Sequence, residues 1–293
     1  MSWRVLIFFV SGLCAGAQLP DISTVPLDLQ MPPLVDGHPG PGKRCKGLLK
    51  GYPDSAHHVL YLPRDWRPDC TYPVLVEFAG NGPYQNRFGD VTTGRVEGSK
   101  MGYGISGGEG YLWLCLPYLD NTGRTNVTKW WGTAPTYDPR PTIEYCLRAV
   151  SEVCRRYNGD TNRVVLCGFS RGAIACNFIG LHDDCIAGLW RAFVPYSHYD
   201  GVRTGWPYPG SDRKNALRRL QRLGTRPQFI CGEGNNAKDT ERYLNAVGER
   251  GSFTIRGTGF RNHNDAWLLR PSPVRTELRE WLKRVLQDSL QPK

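Results

Sequence analysis

The chain has 293 residues, 40% of them apolar and 11% aromatic, with a formal net charge of +10. That composition excludes a disordered chain and supplies a sizeable core; the length suits one α/β domain with appendages, since such units run to about 200–250 residues. The basic residues are scattered and no recognition motif accompanies them, which argues against nucleic acid and leaves two readings of the charge, solubility alone or anionic partners such as acidic polysaccharides or a cell surface.

At the N-terminus Arg4 gives a positive start, Val5 to Leu13 an apolar run, and Ala15-Gly16-Ala17 a small-residue cleavage site before Gln18. Together these form the pattern of a secretory signal over residues 1–17. The run is well short of the roughly 20 residues that cross a bilayer, so no membrane span is expected and the mature protein reads as secreted or periplasmic. Cleavage removes Cys14 from the ten cysteines and leaves an odd nine. Cys115, Cys167 and Cys231 lie in apolar strand-like runs and Cys146 and Cys154 on an apolar helix face, so these read as core residues. Cys45 with Cys70, and Cys176 with Cys185, are the disulfide candidates in an oxidising compartment. No Cys/His spacing suits zinc, and neither a metal nor a cofactor is expected.

Residues 18–55 are rich in proline and glycine and read as an irregular lead-in to a single domain over 56–293. Strand-like runs follow at 58–63, 72–80, 110–119, 162–169, 189–197, 227–233 and 252–260. Between them, Ile143, Cys146, Leu147, Val150, Val153, Cys154 and Tyr157 mark one face of a helix over 141–157. Weaker helical patterns cover 171–182, 214–223 and 239–248, and Val274, Leu278, Trp281, Leu282, Val285 and Leu286 mark a C-terminal helix. Alternation of apolar strands with helices predicts an α/β fold, a mostly parallel sheet covered on both faces. Its functional loops should follow the C-terminal ends of the strands.

One of those loops carries Gly168-Phe169-Ser170-Arg171-Gly172 between a strand and a helix. This is the nucleophile elbow, in which a sharp turn lifts the serine hydroxyl above the sheet and the glycines prevent collisions. Ser170 is the candidate nucleophile. A serine needs a base oriented by an acid, and among six histidines His263, in "GFRNHNDAW", falls in the expected order after the last strand. For the acid, Asp239 ranks first, Glu233 at the end of "PQFICGE" second, and Asp200 in "SHYDG" third. The backbone N–H groups of Arg171 and Asn81 are the candidate oxyanion hole. Trp130, Trp131 and Tyr137 in a long loop over the same face, together with the Arg171 side chain, are candidate substrate contacts. The aromatic segment 197–212 reads as a lid or subsite, and Asn126-Val127-Thr128 is a glycosylation sequon.

With "EFAGNG", "YNGDTNRVVLCGFSRGA" and "RNHNDAW" in this order, residues 58–286 resemble the α/β-hydrolase superfamily. Within it they are similar to the secreted group of feruloyl esterases, acetylxylan esterases and polyhydroxybutyrate depolymerases. Ala79 stands where that group often has histidine, and Asn235 where its acid motif has aspartate. Arg171 is similar to the arginine beside the serine of glucuronoyl esterases, although theirs is followed by x-Gly-Lys and here Gly172-Ala173 follows. The resemblance implies a secreted serine esterase that works through an acyl-enzyme on acetyl or feruloyl esters of polysaccharides or on small esters. A polyester depolymerase, a glucuronoyl esterase or a serine peptidase would share the machinery, and a non-catalytic binding protein would keep the fold without it.

Overall fold

The central apolar runs become strands buried on both faces because each is rich in β-branched and aromatic side chains, whereas the last, 252–260, forms a half-exposed edge. The computed structural model describes residues 19–249 and 251–287; residues 1–17, expected to be a secretory signal, and Cys14 among them lie outside these. The lead-in contributes β1 (Leu34–Val35) and β2 (Arg44–Leu48), followed by β3 (His57–Tyr61) and β4 (Tyr72–Phe78). Two short hairpins, β5 (Tyr84–Gln85) with β6 (Val91–Thr92) and β8 (Tyr118–Leu119) with β9 (Asn126–Val127), lie before and after β7 (Leu112–Leu116). The remaining strands are β10 (Gly159–Phe169), β11 (Ala192–Tyr196), β12 (Gln228–Gly232) and β13 (Phe253–Gly257).

Nine strands form one sheet in the order β1-β2-β3-β7-β4-β10-β11-β12-β13. Only the β2–β3 and β3–β7 pairings are antiparallel. Helix α1 (Met101–Ser106) precedes β7, and α2 (Arg140–Tyr157) precedes β10. After the central strand come α3 (Arg171–Phe178), α4 (Asp184–Ala187), α5 (Arg213–Leu220), α6 (Asn236–Ala246) and α7 (Pro273–Gln287). Alternate residues of the central strands feed opposite cores, as the two-residue period requires. Val74, Val76 and Leu166 pack under α2 and α3, whereas Leu75, Val165 and Cys167 pack under α1 and α7. The α2 face read from sequence is the buried one, and the helix stops where Asn158 turns left-handed at φ 57°. Among the described residues no helix is long and apolar enough to cross a membrane.

Two expectations need correction here. Within the lead-in read as irregular, β1 and β2 join the sheet, and Asp21 and Asp28 pair with Arg261 and Arg275 of the C-terminal region. The nine described cysteines are all unbonded. Cys45 and Cys176 are buried in the core, while Cys70 is half-buried and Cys185 lies at the surface, so neither expected pair is formed. Asn126 of the sequon exchanges two hydrogen bonds with the His57 main chain, at 3.1 and 2.9 Å.

The glycines of the elbow meet backbone. A Cβ on Gly172 would stand 1.9 Å from the Phe78 carbonyl oxygen of β4, and one on Gly168 2.3 Å from the Gly172 carbonyl oxygen. Gly172→Ala should therefore cost about 2–3 kcal/mol in urea unfolding. Gly188→Ala, whose Cβ meets nothing closer than 3.4 Å, should stay within about 0.5 kcal/mol.

Candidate active site

Ser170 sits between the last residue of β10 and the first of α3, with φ 55° and ψ −111°. A non-glycine residue in this region is strained, by roughly 1–3 kcal/mol, and is held there by its surroundings. Here its N–H donates to the Tyr196 carbonyl of β11 at 2.9 Å, and α3 starts at the next residue. Its Oγ lies 3.1 Å from Nε2 of His263.

His263 Nδ1 donates to Glu233 Oε1 at 2.6 Å, which leaves Nε2 to accept the serine proton. Glu233 directly follows β12 and is buried. The same Oε1 accepts from Ser197 Oγ and Asn236 Nδ2, both at 2.9 Å. Burial pushes the Glu233 carboxyl up, but its bonds to His263 and Ser197 outweigh this and hold it below the ordinary carboxylate value. Glu233, not Asp239, is thus the carboxylate brought to the imidazole. Helix α6 starts at Asn236, three residues before the expected 239, so Asp239 lies inside its first turn and pairs with Arg242. Asp200 is buried in a two-pronged pair with Arg219 at 2.8 and 3.0 Å.

Asp90, on the β5–β6 turn, was not singled out by sequence. Its buried carboxylate accepts from the main-chain N–H of His263 (3.0 Å) and from the side chains of Asn262 (2.9 Å), Asn264 (3.3 Å) and Asn86 (2.8 Å). The asparagines flanking His263 were its only trace in the sequence. The ring of Phe169 at 4.6 Å and that of Tyr84 at 5.5 Å complete the surroundings of the imidazole.

The main-chain N–H groups of Asn81 and Arg171 have no acceptor among the described residues. The Arg171 side chain turns away from any substrate. It is 1% exposed and bonds to main-chain carbonyls, so the expected substrate contact is not made. Of the three candidate aromatic residues, Trp131 is fully buried, its ring stacked 4.2 Å from Phe178, and Tyr137 packs half-buried against the core. Trp130 is half-buried, packs against the core and lies 5.0 Å from the Trp206 ring. Trp206, from the 197–212 segment, lies 6.1 Å from His198, which lies 5.4 Å from His263. Burial, with His263 beside it, pulls the His198 imidazole down to about 4, so this ring is neutral at neutral pH.

No protein-family model and no curated protein matches the sequence. Solved structures do. An esterase from Pseudomonas putida superposes with TM-score 0.52 at 16% identity, over 93% of this chain and 88% of that one. A sugar hydrolase from Lactococcus lactis gives TM-score 0.54 at 14% identity, over 84% and 100%. The fold is that of the α/β-hydrolases. A feruloyl esterase module from Clostridium thermocellum shares it, with TM-score 0.51 and 14% identity over 92% of this chain and 98% of the module. Two other matched chains are longer, and this one spans 58% and 34% of them. In this α/β-hydrolase fold the close approach of Glu233 to His263 gives a direct comparison. Glu233→Gln should lower kcat on a small ester by about 10³–10⁴-fold, while Asp239→Asn stays within twofold, both read by steady-state kinetics.

Proposed function

We propose that the protein is a secreted serine esterase acting on carboxylic esters carried by an acidic polysaccharide. The observation that carries the reading is the continuous chain Ser170 Oγ–His263–Glu233, at 3.1 and 2.6 Å. Ser170 attacks the ester carbonyl while His263 Nε2 takes its proton, and Glu233 holds the imidazole and offsets its charge. The carbonyl oxygen becomes an oxyanion received by the N–H groups of Arg171 and Asn81. Collapse breaks the ester bond, and His263 returns the proton to the departing alcohol. Water then attacks the acyl-enzyme by the same route in reverse, releasing the acid and freeing Ser170. The signal pattern over 1–17 supports export.

The substrate class is supported by the surface beside the site. A cavity of about 60 Å³ lined by Ser197, His198 and Trp206 shares Val202, Arg203 and Asp239 with an open groove of about 480 Å³. Arg213 and Arg242 also line that groove. Arg242 pairs with Asp239, whereas Arg203 and Arg213 make no ion pair among the described residues and lie 5.9 Å over the rings of Trp206 and Tyr243. Planar guanidinium groups held in this way suit the carboxylates of a uronate-bearing chain, and the Trp206 ring lining the cavity offers an apolar face to the acyl group or a sugar ring.

A fluorophosphonate should label wild-type protein at Ser170 and fail to label Ser170→Ala; an unlabelled wild type would sink the enzyme reading. Raising salt from 50 to 500 mM should lower kcat/KM several-fold on an esterified uronate polymer and leave p-nitrophenyl acetate unchanged. Equal salt responses for the two substrates would remove the acidic polysaccharide from the proposal.

A further inference from the structure

We infer that the Arg171 side chain is a positioning residue whose guanidinium fixes the peptide plane that presents the Asn81 N–H. Resting on the esterase reading above, this gives one residue two tasks: its main chain supplies one oxyanion donor and its side chain orients the other.

The side chain is buried and makes no ion pair among the described residues. An unpaired buried guanidinium is costly unless its protons are all received. Here four hydrogen bonds run to main-chain carbonyls from three segments: Trp130 at 2.6 Å, Gly80 at 2.9 Å and Gly94 at 3.2 Å, with Ala79 at 3.4 Å. The guanidinium also lies 3.8 Å over the Tyr118 ring. Burial pulls it down to about 10, so it stays charged at neutral pH.

The Gly80 carbonyl and the Asn81 N–H belong to the same planar peptide unit, with the two groups on opposite sides. Holding the Gly80 oxygen therefore sets the direction of the Asn81 N–H. A second link closes the arrangement, because Asn81 Oδ1 accepts from the Trp130 N–H at 2.9 Å while Arg171 takes the Trp130 carbonyl. The loop needs such a hold. Gly80 and Gly82 flank Asn81 and impose little backbone preference. Ala79, Gly94 and Tyr118 border a cavity of about 200 Å³, so part of this region lacks packing behind it. Lysine would keep the charge but could not reach three segments with one planar fork.

The test uses Arg171→Lys and Arg171→Gln in the full chain, with functional sites counted by fluorophosphonate end-point titration. Per titrated site, kcat on p-nitrophenyl acetate should fall about 10²-fold with KM within about threefold. The inhibition constant of an alkyl trifluoromethyl ketone, whose serine adduct carries the oxyanion, should rise in step with the loss in kcat/KM. A purely structural arginine would lower the melting temperature and the titrated fraction only; per-site kcat and inhibition constant within twofold of wild type in Arg171→Lys would overturn the inference. Should neither variant fold, the guanidinium resonances of ¹⁵N-arginine-labelled wild type decide. Adduct formation polarises the Gly80–Asn81 peptide and should shift the Arg171 signals, whereas unshifted signals would overturn the inference. Wild type inert to both the fluorophosphonate and the ketone would instead refute the esterase reading itself.

Discussion

A main-chain contact between two parallel strands' exits underlies the site. The Phe78 carbonyl of β4 occupies the space where any side chain on Gly172 would begin, so α3 starts directly against the neighbouring strand. That closeness leaves Ser170 no relaxed backbone conformation, and it places the first N–H groups of α3 beside the loop that leaves β4. Positive potential at the helix start then favours the charge that would develop on a substrate oxygen. Everything else in the site is arranged around this fixed corner.

The loop from 80 to 94 connects the parts. Near its start the Gly80 oxygen is held by Arg171, and near its end the Gly94 oxygen is held by the same side chain. Between them, Asp90 receives the His263 N–H and the side chains of both flanking asparagines. One excursion from the sheet thus touches the elbow and the histidine loop together. Across the cleft, Glu233 receives His263, Ser197 and Asn236 on a single oxygen, so the base is fixed from both its ring and its backbone. A site held this way needs little rearrangement as charge develops, which is the condition for electrostatic stabilisation.

The sheet and its central corner were legible in the sequence because they follow local rules. Apolar runs too long to expose, helical spacing in 141–157, and two glycines about a serine each report on their own few residues. Asp239 ranks first on sequence because the helical pattern starts at 239, which would leave its carboxylate in the loop after the strand; the helix in fact begins at Asn236, close behind β12, and turns Asp239 toward Arg242. Trp130 and Trp131 are adjacent and chemically alike, yet with Trp130 left-handed (φ 52°) the Trp131 ring is fully buried while that of Trp130 lies half-buried beside Trp206. Nothing local distinguishes them. Asp90 was invisible because its partners lie on a loop more than 170 residues away, and the task of Arg171 depends on carbonyls from three separate segments.

The central claim is that Ser170, activated through His263 and Glu233, carries the acyl group. Rapid-quench mixing of the purified chain with p-nitrophenyl acetate tests it most directly. The account predicts a burst of one p-nitrophenolate per protein and, in acid-quenched digests, an acetyl group on the Ser170 peptide alone. A linear release without burst, together with no acetylated Ser170 peptide at any quench time, would contradict it.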